Sequence, residues 1–139
     1  MAVFGCGAQG RTQVKAVLCE RNIKKIYIFD TFKEGADKFI NEMQEILDVE
    51  IIHVDDTSIL RECDIICTAT NSRSPLFKRD EFKCGVHINA IGSFQAHMQE
   101  IDPFIMRDAT VFVDQIDPCL KESGDFVEPI NKVLMKITQ

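Results

Sequence analysis

Short, nearly continuous apolar runs alternate along the chain with stretches whose apolar residues recur at helical spacing. The runs lie at 2–5 (AVFG), 25–30 (KIYIFD), 49–54 (VEIIHV), 64–70 (DIICTAT), 86–92 (VHINAIG) and 110–115 (TVFVDQ). Each is read as a strand, because β-branched and aromatic residues dominate and polar or turn residues bound it. Runs that do not alternate with polar residues belong to strands covered on both faces, as in a parallel sheet. Between the first two runs, Val14, Val17 and Leu18 share one helical face over 9–21, with Asn22 a left-handed stop. Thr31 to Glu34 reads as a capping box for a helix carrying Ala36, Phe39, Ile40, Met43 and Leu47. Asp56 or Thr57 is expected to cap a short helix ending near Cys63. A helix is expected over 97–108, with Pro103 at its start or at a kink. Asp117 and Pro118 are read as an N-cap and first helical residue, with Gly124 stopping that helix. A last amphipathic piece, 128–137, carries Ile130, Val133, Leu134 and Ile137. Strand and helix in repetition predict an α/β fold, a doubly wound parallel sheet of about six strands with helices on both faces. One domain is expected over 1–139.

The first strand runs directly into Gly5-Cys6-Gly7-Ala8-Gln9-Gly10, and a helix follows at once. In that context each glycine has a physical task. Gly5 turns the chain off the strand. Gly7 has no side chain, so a diphosphate can approach the backbone. Gly10 lets the helix lie close to the sheet. The amides at 8 and 9 and the positive end of the helix then face the phosphates. The second strand ends in Asp30, where the dinucleotide fingerprint places an acid about 20 residues beyond the loop. A carboxylate there accepts from both adenosine ribose hydroxyls and repels a 2′-phosphate. Lys33 is the nearest following cation. NAD(H) is therefore favoured over NADP(H), with Thr31 beside the acid. At the fourth strand's end, Thr68, Ala69, Thr70 and Asn71 either line the cofactor at the switch point or form an ordinary polar loop. Ile91, Gly92 and Ser93 close the fifth strand and are candidates for the nicotinamide side, as are Asp114 and Gln115 after the sixth. His87, mid-strand, is read as a satisfied internal histidine.

Charge and cysteine usage narrow the partners. The net charge of −6 disfavours nucleic acid or an anionic membrane as the partner. Six cysteines stand at 6, 19, 63, 67, 84 and 119. Cys6, Cys63, Cys67 and Cys84 lie in or beside apolar runs, and no paired Cys-x-x-Cys spacing suggests a metal, so buried free thiols in a reducing cytoplasm are expected. No nucleophile constellation is legible. Hydride transfer needs none, because the cofactor carries the reacting group.

Four stretches together carry a resemblance: GCGAQGRTQ, DIICTATNSRSPLF, GVHINAIGSFQAHMQEID and VFVDQIDPCLKESGD. In that order, over nearly the whole chain, they resemble the ornithine cyclodeaminase/mu-crystallin family. The resemblance implies a Rossmann-type nucleotide-binding domain, here excised from a two-domain enzyme that dimerises through a second domain. It implies NAD(P)-dependent chemistry at the amino or imino carbon of a small amino acid. Cyclodeaminases of the family carry an aspartate after the HxNAxG motif, and that position here is Phe94. Imine reduction or amino-acid dehydrogenation is thus favoured over conversion of L-ornithine to L-proline and ammonia. The LKESGD stretch leans the same way, toward mu-crystallin-like members, whereas Asp30 departs from their NADP(H) preference. A non-catalytic nucleotide-sensing module, or a binder of small hydrophobic ligands, are the alternatives from other classes.

Overall fold

The computed structural model describes residues 1–131, which divide into two compact units. The first comprises residues 1–70 and 81–89. Its five-stranded sheet contains β1 (Ala2–Phe4), β2 (Lys25–Phe29), β3 (Glu50–His53), β4 (Ile65–Thr68) and, at one edge, β6 (His87–Ala90), whose last residue belongs to the second unit. Their order is β3-β2-β1-β4-β6. β1 pairs in parallel with both β2 and β4, and β2 with β3. The chain therefore winds one way from β1 and then returns to β1's other side, which makes the C-terminal ends of β1 and β4 the switch point. Helices α1 (Ala8–Glu20) and α2 (Lys33–Gln44) form the β1–β2 and β2–β3 crossovers. Val14 and Val17 of α1 and Phe39 and Met43 of α2 pack with Val3, Ile26, Ile28 and Ile51 in one buried cluster. The intervening residues Phe4 and Phe29 are buried as well, their rings stacked at 4.2 Å between centroids. Burial on both faces is the physical cause of the unbroken apolar runs. A 3₁₀ turn at Thr57–Glu62 leads into β4. Asp56 caps it, accepting from the Ser58 amide, and the segment ends beside Cys63 as expected.

The second unit comprises residues 71–80 and 90 onward. It holds β5 (Arg73–Phe77) and β7 (Gln99–Ile101) in a parallel pair, then α3 (Pro103–Asp108), α4 (Ile116–Glu122) and α5 (Gly124–Asn131). Several expectations are corrected here. The sixth strand at 110–115 does not form. These residues carry no ladder pairing, and Phe112 is 90% exposed. An apolar run becomes a strand only where a neighbouring edge accepts its backbone. The helix expected over 97–108 is strand β7 followed by α3, which starts at Pro103 with Asp102 capping the Phe104 amide. Asp117 is not an N-cap, since α4 already begins at Ile116 behind Gln115. Gly124 starts α5 rather than ending α4, which closes at Ser123. The last expected helix is represented by α5, and the part beyond 131 lies outside the described residues.

Two corrections fall in the first unit. Thr31 and Glu34 do not make a capping box, because Phe32 is the N-cap of α2 and its amide donates to Asp30 Oδ1 at 2.9 Å. Helix α1 ends at Glu20 with an extended Arg21 as its C-cap, one residue before the expected stop at Asn22.

Candidate functional site

The turn after β1 is held at the switch point by backbone bonds to two neighbouring segments. The Gly5 amide donates to the Phe29 carbonyl at 2.9 Å, and the Ala69 amide to the Phe4 carbonyl at 2.8 Å. Gly5 has a φ of +95°, and a methyl group there would overlap the Ala69 carbonyl oxygen. A side chain at Gly10 would overlap the Gly5 carbonyl, so α1 lies as close to the turn as a glycine permits. Gly7 differs from both. Its φ is −74° and open space surrounds the place of a Cβ. Neither backbone strain nor crowding by the chain calls for a glycine there. Gly7, Ala8 and Gln9 are exposed, and Gly7 is the N-cap of α1 with no side chain satisfying the first amides. Those amides have no intrahelical partners. The turn fits a diphosphate by shape and by donor set.

Asp30 lies at the mouth of this turn. Its Oδ2 accepts from the Cys6 amide at 2.8 Å, and its Oδ1 from the Phe32 amide. One carboxylate thus ties the glycine turn to the start of α2. Each oxygen keeps a further lone pair for an outside donor. Thr31 is exposed next to it. His53 Nε2 lies 3.3 Å from the Asp30 carbonyl oxygen. Burial pushes the Cys6 thiol up to about 12, and the neighbouring Asp30 charge and hydrogen bond add to the rise. Thr68 is fully buried at the end of β4. Ala69 and Thr70 are half-buried, and the Thr70 methyl is among the atoms nearest the place of a Gly5 Cβ.

Asn71, Ile91, Gly92 and Ser93 belong to the second unit. Asn71 and Ile91 are exposed there, Ile91 at 38%. Gly92 and Ser93 are buried and engaged. The Gly92 amide donates to Glu100 Oε2 at 2.8 Å, and Ser93 Oγ donates to the Met98 carbonyl at 2.8 Å. Ser93 Oγ also accepts from the Asp125 amide at 3.2 Å. Asp125 Oδ1 in turn accepts from the Glu100 and Ile101 amides at 2.8 and 2.9 Å. Burial pushes Asp125 up to about 6, against the two backbone bonds that favour its charge. Gly124 is required because a Cβ would collide with the Met98 carbonyl. Ser93, Glu100 and Asp125, with Gly124 admitting the close approach, are therefore the clasp of this unit. Phe94 is 61% exposed. Asp114 accepts from the Gln115 amide in the extended stretch.

His87 is satisfied by Asn89, 2.9 Å from its Oδ1, but is exposed rather than internal. Cys6, Cys63 and Cys67 are buried free thiols as expected, whereas Cys84 is exposed. Among the described residues no helix is long and apolar enough to cross a membrane, and no cluster of three His, Cys, Asp or Glu could hold a metal. A groove of about 650 Å³ in the first unit runs along the last turn of α1, past Asp64 and His87 at the start of β4 and β6. It lies at the strand ends opposite the glycine turn and is not the site described above.

The first unit has the architecture of a dinucleotide-binding α/β domain. Residues 1–138 match the model of the ornithine cyclodeaminase/mu-crystallin family, and the chain belongs to that family. It is 33% identical over 138 residues to a Delta(1)-pyrroline-2-carboxylate reductase of Bacillus cereus, covering 98% of this chain and 42% of that protein. It is 29% identical over 125 residues to the ketimine reductase mu-crystallin of Mus musculus, covering 90% and 39%. Thermococcus litoralis Delta(1)-pyrroline-2-carboxylate reductase, solved with NADH and L-proline, superposes with a TM-score of 0.92 at 33% identity, covering 97% of this chain and 42% of that one. An archaeal alanine dehydrogenase dimer with bound NAD gives 0.87 at 27% identity, covering 96% and 41%. The chain spans about two fifths of the length of these relatives.

Arg11, Glu42, Glu100 and Asp125 are polar residues of these two units that sequence reasoning missed. One signal was available for Arg11. A cation near the start of a helix opposes the helix dipole and calls for a local acceptor.

Proposed function

We propose that the chain is the nucleotide-binding part of an NAD(H)-dependent imine reductase acting on a small amino-acid substrate. The position of Asp30 carries this reading, since its carboxylate is bonded to the amide of the glycine turn itself. In this reading the amides of Gly7, Ala8 and Gln9 bind the diphosphate, with Gly5 and Gly10 shaping the turn. Asp30, with Thr31 beside it, accepts from the adenosine ribose hydroxyls and repels a 2′-phosphate. Thr68, Ala69 and Thr70 at the end of β4 line the middle of the cofactor. Bound NADH would supply a hydride to the carbon of a carbon–nitrogen double bond. Phe94 in place of the cyclodeaminase aspartate, and relatives named as pyrroline-carboxylate and ketimine reductases, favour imine reduction over ring-closing deamination. The whole enzyme is read as a homodimer assembled through a further domain. Free thiols fit a reducing cytoplasm.

Side-by-side titration with NADH and NADPH tests the reading. NADH is expected to bind more tightly by about tenfold or more, the worth of about 1.4 kcal/mol of charge repulsion. Asp30→Ala is expected to narrow that gap while weakening NADH. Equal or tighter binding of NADPH by the unaltered protein overturns the assignment of Asp30.

A further inference from the structure

Behind the glycine turn lies a guanidinium that the nucleotide reading leaves unused. Arg11 stands in the first turns of α1, and its side chain folds back under the loop. Its Nη1 donates to the carbonyl oxygen of Cys6, and to that of Gly7 at 3.2 Å. Its Nε and Nη2 donate to Glu42 Oε2 at 2.9 and 2.6 Å. Its guanidinium carbon lies 5.1 Å from the centre of the Phe39 ring, which is fully buried. Two residues of α2 thus seat the arginine, and the arginine grips the turn.

The two carbonyls it grips belong to the peptide units whose amides are those of Gly7 and Ala8. Both units are trans, so each N–H points away from its own C=O. With the oxygens turned toward Arg11, the two N–H groups point to the opposite side of the turn. A charged donor on a peptide oxygen also polarises that peptide, which makes its N–H a stronger donor. An exposed arginine–glutamate pair alone would contribute little. Here one cation is fixed by four hydrogen bonds and an aromatic face, at the one place where its field acts on the proposed anion donors.

We propose that Arg11 is a positioning residue for diphosphate binding, a cation seated on Phe39 and Glu42 that orients and polarises the Gly7 and Ala8 amides. The proposal rests on the reading of this turn as a dinucleotide cradle. It predicts selectivity. Ligands carrying a diphosphate depend on Arg11, and ligands lacking one do not.

The test is titration of the unaltered protein and of Arg11→Met with NADH, ADP and adenosine, alongside a thermal melt of each. Arg11→Met is expected to weaken NADH and ADP by about tenfold, as for loss of a charge-assisted contact. Adenosine should change less than about twofold on the same grounds. Arg11→Lys, which keeps the charge without the fork, should recover part of the loss. An equal loss for all three ligands, or unchanged NADH binding, overturns the role of Arg11 while leaving the cradle intact. An unaltered protein that binds neither NADH nor ADP overturns the cradle itself and this role with it. Should Arg11→Met fail to fold, Arg11→Lys and Glu42→Gln carry the comparison. Both are expected to lose NADH and ADP selectively, and an unselective effect overturns the role.

Discussion

The two units are held together by different physics. In the first, β1, β2 and β4 are buried on both faces, and α1 and α2 add an apolar layer of valines, Phe39 and Met43. In the second, the parallel pair of β5 and β7 is short, and buried acids do much of the joining. Asp125 collects the Glu100 and Ile101 amides, Glu100 collects the Gly92 amide, and Ser93 links Met98 to Asp125. Apolar burial is insensitive to pH and tolerant of small shape changes. A carboxylate clasp depends on protonation and fails if its acceptor is removed. The glycine turn is mounted on the first kind of scaffold, and Gly92, Ser93, Glu100 and Asp125 belong to the second.

The sharpest way to break this contrast is in the apolar layer. Phe39→Ala is expected to cost about 3–5 kcal/mol, as for large-to-small changes in a packed core. It also removes the face on which Arg11 rests. Denaturant unfolding measures the loss, and a cost under about 1 kcal/mol would place the core elsewhere. Next in size is Asp125→Ala, which leaves two buried amides without their acceptor, at about 2–4 kcal/mol. Hydrogen exchange should show amides of residues 93–101 opening while those of β1 and β2 keep their protection.

A third, smaller effect is pH-dependent. The Asp125 carboxyl is raised to about 6 in the folded chain, above its ordinary range. The folded form therefore binds the proton more tightly than the unfolded form. Stability from this group is fully present below the unfolded value and is lost as pH rises through about 6. Going from pH 7 to pH 5 should strengthen the second unit by about 1 kcal/mol. Exchange rates corrected for their intrinsic pH dependence would show it. Asp125→Asn, which keeps an acceptor without the charge, should abolish the change. Smallest of all is Lys38→Ala, which breaks an exposed pair with Glu42. A thermal melt is expected to show almost no shift, because the pair is exposed and screened.

The same contrast explains what the sequence disclosed. Strands β1 to β4, helices α1 and α2 and the glycine turn follow local rules, apart from the capping box at Thr31 and the stop at Asn22. The Gly7 vacancy and the nearness of Asp30 to the turn were both legible from spacing. The second unit was legible only in patches. Strand β5 contains Pro75 and follows a polar stretch, so it carries no strand signature, and only its pairing with β7 makes it one. The two Asp-Pro pairs look alike on paper. Asp102 caps its helix, whereas Asp117 sits inside the first turn of another. Residues 110–115 have the composition of a strand without a partner edge. The roles of Glu100, Asp125 and Arg11 come from contacts many residues apart, which periodicity does not encode.

The sulfur in the glycine turn has a practical corollary. With its proton held up to about 12 beside an anionic neighbour, Cys6 offers almost no thiolate at neutral pH. Cys19 and Cys84 lie exposed. An alkylating agent or peroxide should spend itself on those two, leaving the glycine turn chemically quiet and the surface thiols free to carry a fluorophore.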